Sequence, residues 1–177
     1  MPRSILFLAR FAPSKRPEVL LDALGILKER NVSFSASFYG SPLVGDGAFL
    51  EREQEHMRQL GLSDSVKFYA GVSNAETPPI YRAHELFVNC SKSGMYDKTI
   101  FEAAACGCLV LAASADYSTI GDPRLSFDGS ADNLAQKLQA LLALSPQEKA
   151  ALQKQGMMLA EGHSLETLGR RLLREMQ

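Results

Sequence analysis

Short apolar runs alternate along this chain with segments in which apolar residues recur every three or four positions. Residues 4–9 (Ser-Ile-Leu-Phe-Leu-Ala) are nearly unbroken apolar, the pattern of a strand covered on both faces. Pro17 then opens a helix whose Leu20, Leu21, Leu24 and Leu27 share one face. Residues 33–39 predict a second strand, closed by Gly40-Ser41-Pro42. The cycle repeats with a helix over 49–60 stopped at Gly61, a strand over 66–69, a short helix over 79–83 and a strand over 86–90. A helix over 99–106 ends at Gly107 and feeds a strand over 109–113. A turn-rich stretch follows, residues 125–127 predict a last short strand, and from about Ala131 the pattern gives two or three helices, including 133–144 and 165–176.

Strands and helices alternating at this spacing call for right-handed crossovers. The expected architecture is α/β: a Rossmann-like parallel sheet with helices on both faces, formed as one domain over residues 1–177. No internal repeat, low-complexity tract or linker interrupts it.

Composition narrows the function classes. The 177 residues are 46% hydrophobic and 22% charged, the make-up of a folded globular chain rather than a disordered one. Nineteen basic against 20 acidic side chains leave a net charge of −1, without the basic excess of a nucleic-acid binder. Cys90, Cys106 and Cys108 sit in apolar runs and are odd in number, so buried thiols are expected rather than a disulfide framework. No second ligand pair accompanies Cys106 and Cys108, and no metal site is expected. No apolar stretch is long enough to cross a bilayer, and the first residues do not read as a signal peptide.

In an open parallel sheet, ligands bind outside the carboxyl ends of the strands, near a switch point in strand order. That directs attention to residues 10–16, 40–47, 70–75, 91–98 and 114–120. The first carries Arg10 at a strand end, with Lys15 and Arg16 just before a helix N-terminus. Cations there oppose the helix dipole, but an anion held between them gains both the side-chain charges and the helix amides. The alternative is a solvated basic turn. In the fourth, Ser91-Lys92-Ser93-Gly94-Met95-Tyr96-Asp97-Lys98 precedes Thr99-Ile100-Phe101-Glu102-Ala103-Ala104-Ala105-Cys106-Gly107. Small residues let the backbone approach a ligand, and Lys98 adds charge to the amides of the helix start. Glu102 lies one turn into an Ala-rich helix, where a buried carboxylate is expected to need donors such as sugar hydroxyls. A surface glutamate fits the periodicity equally well.

Other phosphate and nucleophile motifs are missing. The chain has no Gly-x-Gly-x-x-Gly after its first strand, no Gly-x-x-x-x-Gly-Lys-Ser/Thr and no Gly-x-Ser-x-Gly. His56, His84 and His163 fall on helical or loop segments without an evident Ser/Asp or Cys catalytic partner and read as surface or packing residues.

The residues 5–10 (Ile-Leu-Phe-Leu-Ala-Arg), then Lys15-Arg16-Pro17 and Leu20-Leu21-Asp22-Ala23, resemble the opening of the C-terminal domain of GT-B glycosyltransferases of the retaining family 4 type. There, a strand ending in Gly-Arg is followed by Lys-Gly and a helix. The resemblance continues through Phe38-Tyr39-Gly40, Leu60-Gly61-Leu62, residues 66–72, Ile80-Tyr81-Arg82-Ala83 and residues 86–91, and closes on Phe101-Glu102-Ala103-Ala104-Ala105-Cys106-Gly107. It spans roughly residues 4–145. The pieces are individually weak, but their order and spacing make the likeness specific.

The resemblance implies transfer of a sugar from a nucleotide-diphosphate donor, UDP- or GDP-linked, with retention and with neither a metal nor a separate cofactor. Arg10 and Lys15 match the basic pair that holds the donor diphosphate and neutralises the leaving group. Gly71 and Val72 match the loop that contacts the base, and Glu102 matches the carboxylate that takes the ribose hydroxyls. Gly94, Met95, Tyr96, Asp97, Lys98 and Thr99 match the turn beside the phosphates and sugar. Two departures stand out: Gly94 occupies the position of the first Glu of the Glu-x7-Glu motif, and Ala9 replaces the Gly before Arg10. Asp97 and Lys98 are candidates to supply the sugar or phosphate contacts that Gly94 lacks. The expected partner is an N-terminal acceptor domain not present in this chain, with Met1 the start of a fragment or of one half of a split protein. The chain alone is expected to bind nucleotide weakly and to transfer nothing. Cytosolic donors imply a cytoplasmic location, with peripheral attachment to the inner membrane face through a longer protein, as in polysaccharide synthesis. Two other readings stay open: a non-catalytic sugar-nucleotide-binding module, and a different nucleotide-binding α/β protein.

Overall fold

A computed structural model describes residues 2–92, 97–163 and 167. The apolar runs form five strands, β1 (Ser4–Leu8), β2 (Ser35–Tyr39), β3 (Val66–Tyr69), β4 (Leu86–Asn89) and β5 (Leu109–Ala112). They pair in the order β3-β2-β1-β4-β5, every neighbouring pair parallel. This is the α/β, Rossmann-like sheet expected from the sequence.

Seven helices are described: α1 (Pro17–Glu29), α2 (Gly47–Gln59), α3 (Thr77–Arg82), α4 (Lys98–Ala105), α5 (Ala115–Ile120), α6 (Ala131–Ala143) and α7 (Pro146–Gly162). From β1 the chain steps outward through α1 and α2 to β3, then returns to place β4 on the other side of β1. Right-handed crossovers running in opposite directions put α1 and α2 on one face of the sheet and α4 on the other. Accordingly α1 packs against α2 and α6, while α4 packs against α3 and α7. Leu20, Leu21, Leu24 and Leu27 of α1 are fully buried, as their spacing predicts.

Strand register explains the core between β1, β2 and β3. Phe7 lies beside Phe38, and Phe38 beside Phe68, with ring centroids 5.2 and 5.0 Å apart. One position further on, the side chains swap faces. Tyr39 and Tyr69 therefore stack on the opposite side, 4.5 Å apart at the carboxyl ends of β2 and β3.

Two stretches differ from the sequence expectation. Residues 125–127 form no strand: Asp122 caps a 3-10 turn at Pro123–Leu125, and Ser126 makes a single parallel bridge to Ala112. Proline at the first turn position favours that helical start over an extended strand. The turn-rich stretch after β5 contains α5, capped by the Ser114 side chain on the Tyr117 amide. Helix α7 begins in a reciprocal cap between Ser145 and Glu148. The predicted helix 165–176 lies outside the described residues. Cys90, Cys106 and Cys108 are free thiols, and burial pushes Cys90 and Cys108 up to about 12.

Candidate functional site

The strand order reverses between β1 and β4, so the loops leaving those two strands diverge and leave a crevice. A cavity of about 360 Å³ opens there. The end of β1 contributes Leu8, Ala9 and Arg10, the end of β2 Tyr39, Gly40 and Ser41, and α4 contributes Thr99. Gly71 and Val72, just past β3, complete the wall.

Two glycines shape this wall. A Cβ on Gly40 would sit 2.0 Å from the Ala9 carbonyl oxygen, and one on Gly71 would sit 2.7 Å from Ser41 Oγ. The Gly40 contact is with backbone and excludes any side chain, so the loops after β1 and β2 pack closely there. At Gly71 the Ser41 hydroxyl could turn away, with the Ser41 amide nitrogen at 3.2 Å behind it. The Gly71 amide donates to Ser41 Oγ at 3.3 Å.

The second part of the site joins the loop after β1 to the start of α4. Lys15 ends a 3-10 turn, Pro13–Lys15, and its Nζ donates to Asp97 Oδ2 at 2.8 Å. Asn89, the last residue of β4 and 6% exposed, donates from Nδ2 to the same oxygen at 2.8 Å. Its Oδ1 accepts from the Ser91 amide at 3.0 Å, which fixes the orientation of the amide. Asp97 Oδ1 accepts from Thr99 Oγ1 at 2.7 Å and from the Thr99 amide at 3.4 Å, capping α4. Burial on its own pushes the Asp97 carboxyl up. The hydrogen bonds from Lys15, Asn89 and Thr99, with the charge of Lys15, outweigh it and hold the group below the ordinary carboxylate range.

Glu102 stands one turn further along α4. It is exposed, which decides between the buried and the surface carboxylate that the periodicity left open. The surrounding alanines shield only part of it, and Tyr81 of α3, itself 0% exposed, donates from its hydroxyl to Glu102 Oε2 at 3.1 Å. Burial and the neighbouring Glu102 raise the Tyr81 phenol well above its usual value, so it remains a donor. Arg10 is exposed at the rim of the cavity, Lys15 is half-buried and Lys98 is exposed.

The structure thus brings Arg10, Gly71, Val72 and Thr99 around one cavity, and ties Lys15 and Asp97 to it through Thr99. Gly94, Met95 and Tyr96 lie outside the described residues. Sequence reasoning passed over Tyr39, Ser41, Tyr81 and Asn89. Asn89 could have been found, as a polar residue closing an otherwise apolar strand. Arg16, a candidate anion-holding cation in the sequence, stands where the family pattern has glycine. Arg16 keeps a left-handed backbone (φ 53°), and its guanidinium donates to the Gly129 carbonyl at 2.9 Å.

His56 needs a correction, because α1 brings Asp22 to within 2.6 Å of its Nε2 across the fold. Neither residue lines the cavity. His84 and His163 meet backbone carbonyls of their own segments. Among the described residues no cluster of His, Cys, Asp and Glu is suited to hold a metal ion, and no helix is long and apolar enough to cross a membrane.

Comparison with known proteins agrees with this arrangement. A family model described as "Glycosyl transferases group 1" matches residues 1–156. Mannosylfructose-phosphate synthase of Agrobacterium fabrum is 32% identical over 106 residues, 58% of this chain and 23% of the relative. The chain therefore spans about a quarter of that relative's length. HepE of Anabaena, solved in complex with UDP and glucose, superposes with a TM-score of 0.85 at 19% identity, covering 99% of this chain and 48% of HepE. The C-terminal domain of LpcC, a glycosyl transferase group 1 family protein of Francisella tularensis, gives a TM-score of 0.79 at 20% identity, covering 91% of this chain and 86% of that domain.

Proposed function

The chain belongs to the group 1 glycosyl transferases, and we propose that within that family it is the donor-binding half of a retaining enzyme. It holds a nucleotide-diphosphate sugar, UDP- or GDP-linked, for transfer to an acceptor carried elsewhere in a longer protein or on a partner domain. The observation that carries this reading is the cavity at the β1/β4 switch point, where Arg10, Gly71, Val72 and Thr99 meet. That HepE is solved with UDP and glucose supports a nucleotide sugar as the ligand of this fold.

In this reading the base enters between the β2 and β3 ends, against the Gly71 and Val72 backbone. Glu102 accepts the ribose hydroxyls with a carboxylate that Tyr81 already holds from below. Arg10 and Lys15 face the diphosphate. Their charges count for more in the transition state than in the bound donor, because negative charge grows on the leaving diphosphate as the glycosidic bond breaks. Lys98 and Thr99 lie toward the phosphates and the sugar. With Gly94 lacking a carboxylate, sugar selection rests on other groups of the full enzyme. The donor is a substrate, and the reading invokes no metal or cofactor. Residues 1–177 serve as one donor domain in the cytoplasm, brought to the inner membrane face only through other parts of a longer protein.

Amide chemical-shift mapping tests this placement. Addition of UDP or GDP is expected to shift Gly71, Val72 and Thr99 most. Shifts confined to other surfaces would remove the site from consideration.

A further inference from the structure

The carboxylate of Asp97 has about four lone-pair positions, and four donors already occupy them. Lys15 Nζ and Asn89 Nδ2 take Oδ2, each at 2.8 Å, and the hydroxyl and amide of Thr99 take Oδ1 at 2.7 and 3.4 Å. No acceptor capacity remains for a sugar hydroxyl. An anion does not approach a carboxylate, so a phosphate is not its partner either.

The group that this network leaves with spare capacity is Lys15. Its ammonium has three donors, Asp97 takes one, and a third of its side chain faces solvent. The pair joins residues 82 positions apart, one leaving β1 and the other leaving β4, so it spans the switch point itself. A free lysine at that place would sample many rotamers, and ordering it would oppose donor binding. Held by a carboxylate that is braced by Asn89, it is ordered beforehand.

We infer that Asp97 is a positioning residue that orients Lys15 toward the donor diphosphate and makes no contact with the sugar. This rests on the donor-site reading given above. It also answers the vacancy at Gly94: Asp97 lies three residues on, but its oxygens are committed to the protein.

The test measures the diphosphate's share of binding as the ratio of dissociation constants, uridine over UDP, or guanosine over GDP if the wild-type chain prefers guanine. The chains are the wild type, Lys15→Ala, Asp97→Asn, the double variant and Asn89→Ala. Asparagine is as good a helix cap as aspartate, so Asp97→Asn keeps the start of α4 while removing the charge. Each of Lys15→Ala and Asp97→Asn is expected to lower the ratio about tenfold, and the double variant no further than Lys15→Ala alone, because Asp97 acts through Lys15. Asn89→Ala keeps the ion pair but loses the brace, and is expected to lower the ratio two- to threefold; it serves if Asp97→Asn does not fold. The inference fails if Asp97→Asn leaves the ratio unchanged while Lys15→Ala lowers it. It fails equally if Asp97→Asn raises the ratio, which would make Asp97 a competitor of the diphosphate. A ratio unmoved by Lys15→Ala overturns the donor-site reading, and this inference with it.

Discussion

Two acidic residues five positions apart on one short element are held in opposite ways. Asp97, at the cap of α4, is half-buried and accepts from Lys15, Asn89 and Thr99. Glu102, one turn on, is exposed and tied at one oxygen to the hydroxyl of Tyr81. The first has its bonding capacity spent inside the protein, and the second presents a carboxylate to solvent. A carboxylate near a proposed ligand is therefore no evidence of contact until its partners are counted. The count separates a residue that shapes the proposed site from one left able to meet a ligand.

The largest effect that sharpens this contrast is on stability. Asp97→Ala removes a helix cap and strands the Asn89 amide and the Lys15 ammonium, a combined cost of about 2–3 kcal/mol. Glu102→Ala, at an exposed position, loses only the acceptor of the Tyr81 hydroxyl and should cost about 1 kcal/mol. Urea unfolding of the two variants checks this, and equal losses would erase the distinction.

Binding should show the reverse order for the nucleoside. Glu102→Ala forfeits hydrogen bonds to a charged acceptor, worth about 1.5 kcal/mol or more, and should weaken uridine or guanosine binding about tenfold. Asp97→Ala should leave nucleoside affinity nearly unchanged. Tyr81→Phe is a smaller perturbation, since Glu102 stays in place but loses its brace. A loss of about 0.5–1 kcal/mol in nucleoside affinity is expected, with no loss of diphosphate preference. If Tyr81→Phe binds as the wild type does, the phenol is a packing group only.

The smallest effect is in acid. The folded Asp97 carboxyl lies below its ordinary value of 3.8, so its contribution to stability is fully present above that value and is lost as pH falls through the folded one. The stability gap between wild type and Asp97→Asn should be constant from pH 7 to about 5 and shrink below about pH 4. A gap that widens in acid would mean the carboxyl is held protonated.

Much of the fold could be read from the chain because its signals are local. Phe7 sits in an unbroken apolar run, while Phe38 and Phe68 sit in short segments where apolar residues alternate with Ser35 and Ser37 or flank Lys67; both patterns mark strands. Residues 115–120 and 125–127 differ from expectation because the former are rich in turn-forming residues and follow Ser114, which serves as a helix cap, and the latter make one bridge only. For the candidate site, Arg10, Lys15, Gly71, Val72 and Glu102 are proposed through their likeness to a family pattern. The bonds that tie them into the fold are not legible there. Lys15 meets Asp97 across 82 residues, Tyr81 meets Glu102 across 21, and His56 meets Asp22 across 34. No periodicity encodes such pairs; they exist only once the crossovers have brought β1 beside β4 and α3 beside α4.

The central claim is that the β1/β4 crevice takes a nucleoside diphosphate, and calorimetric titration of the 177-residue chain with UDP, GDP and ADP, alongside NAD and FMN, tests it most directly. The account predicts saturable binding of at least one nucleoside diphosphate, strongly weakened by Arg10→Ala, with no comparable binding of NAD or FMN. Tight binding of NAD or FMN, with none of the diphosphates bound, would contradict it.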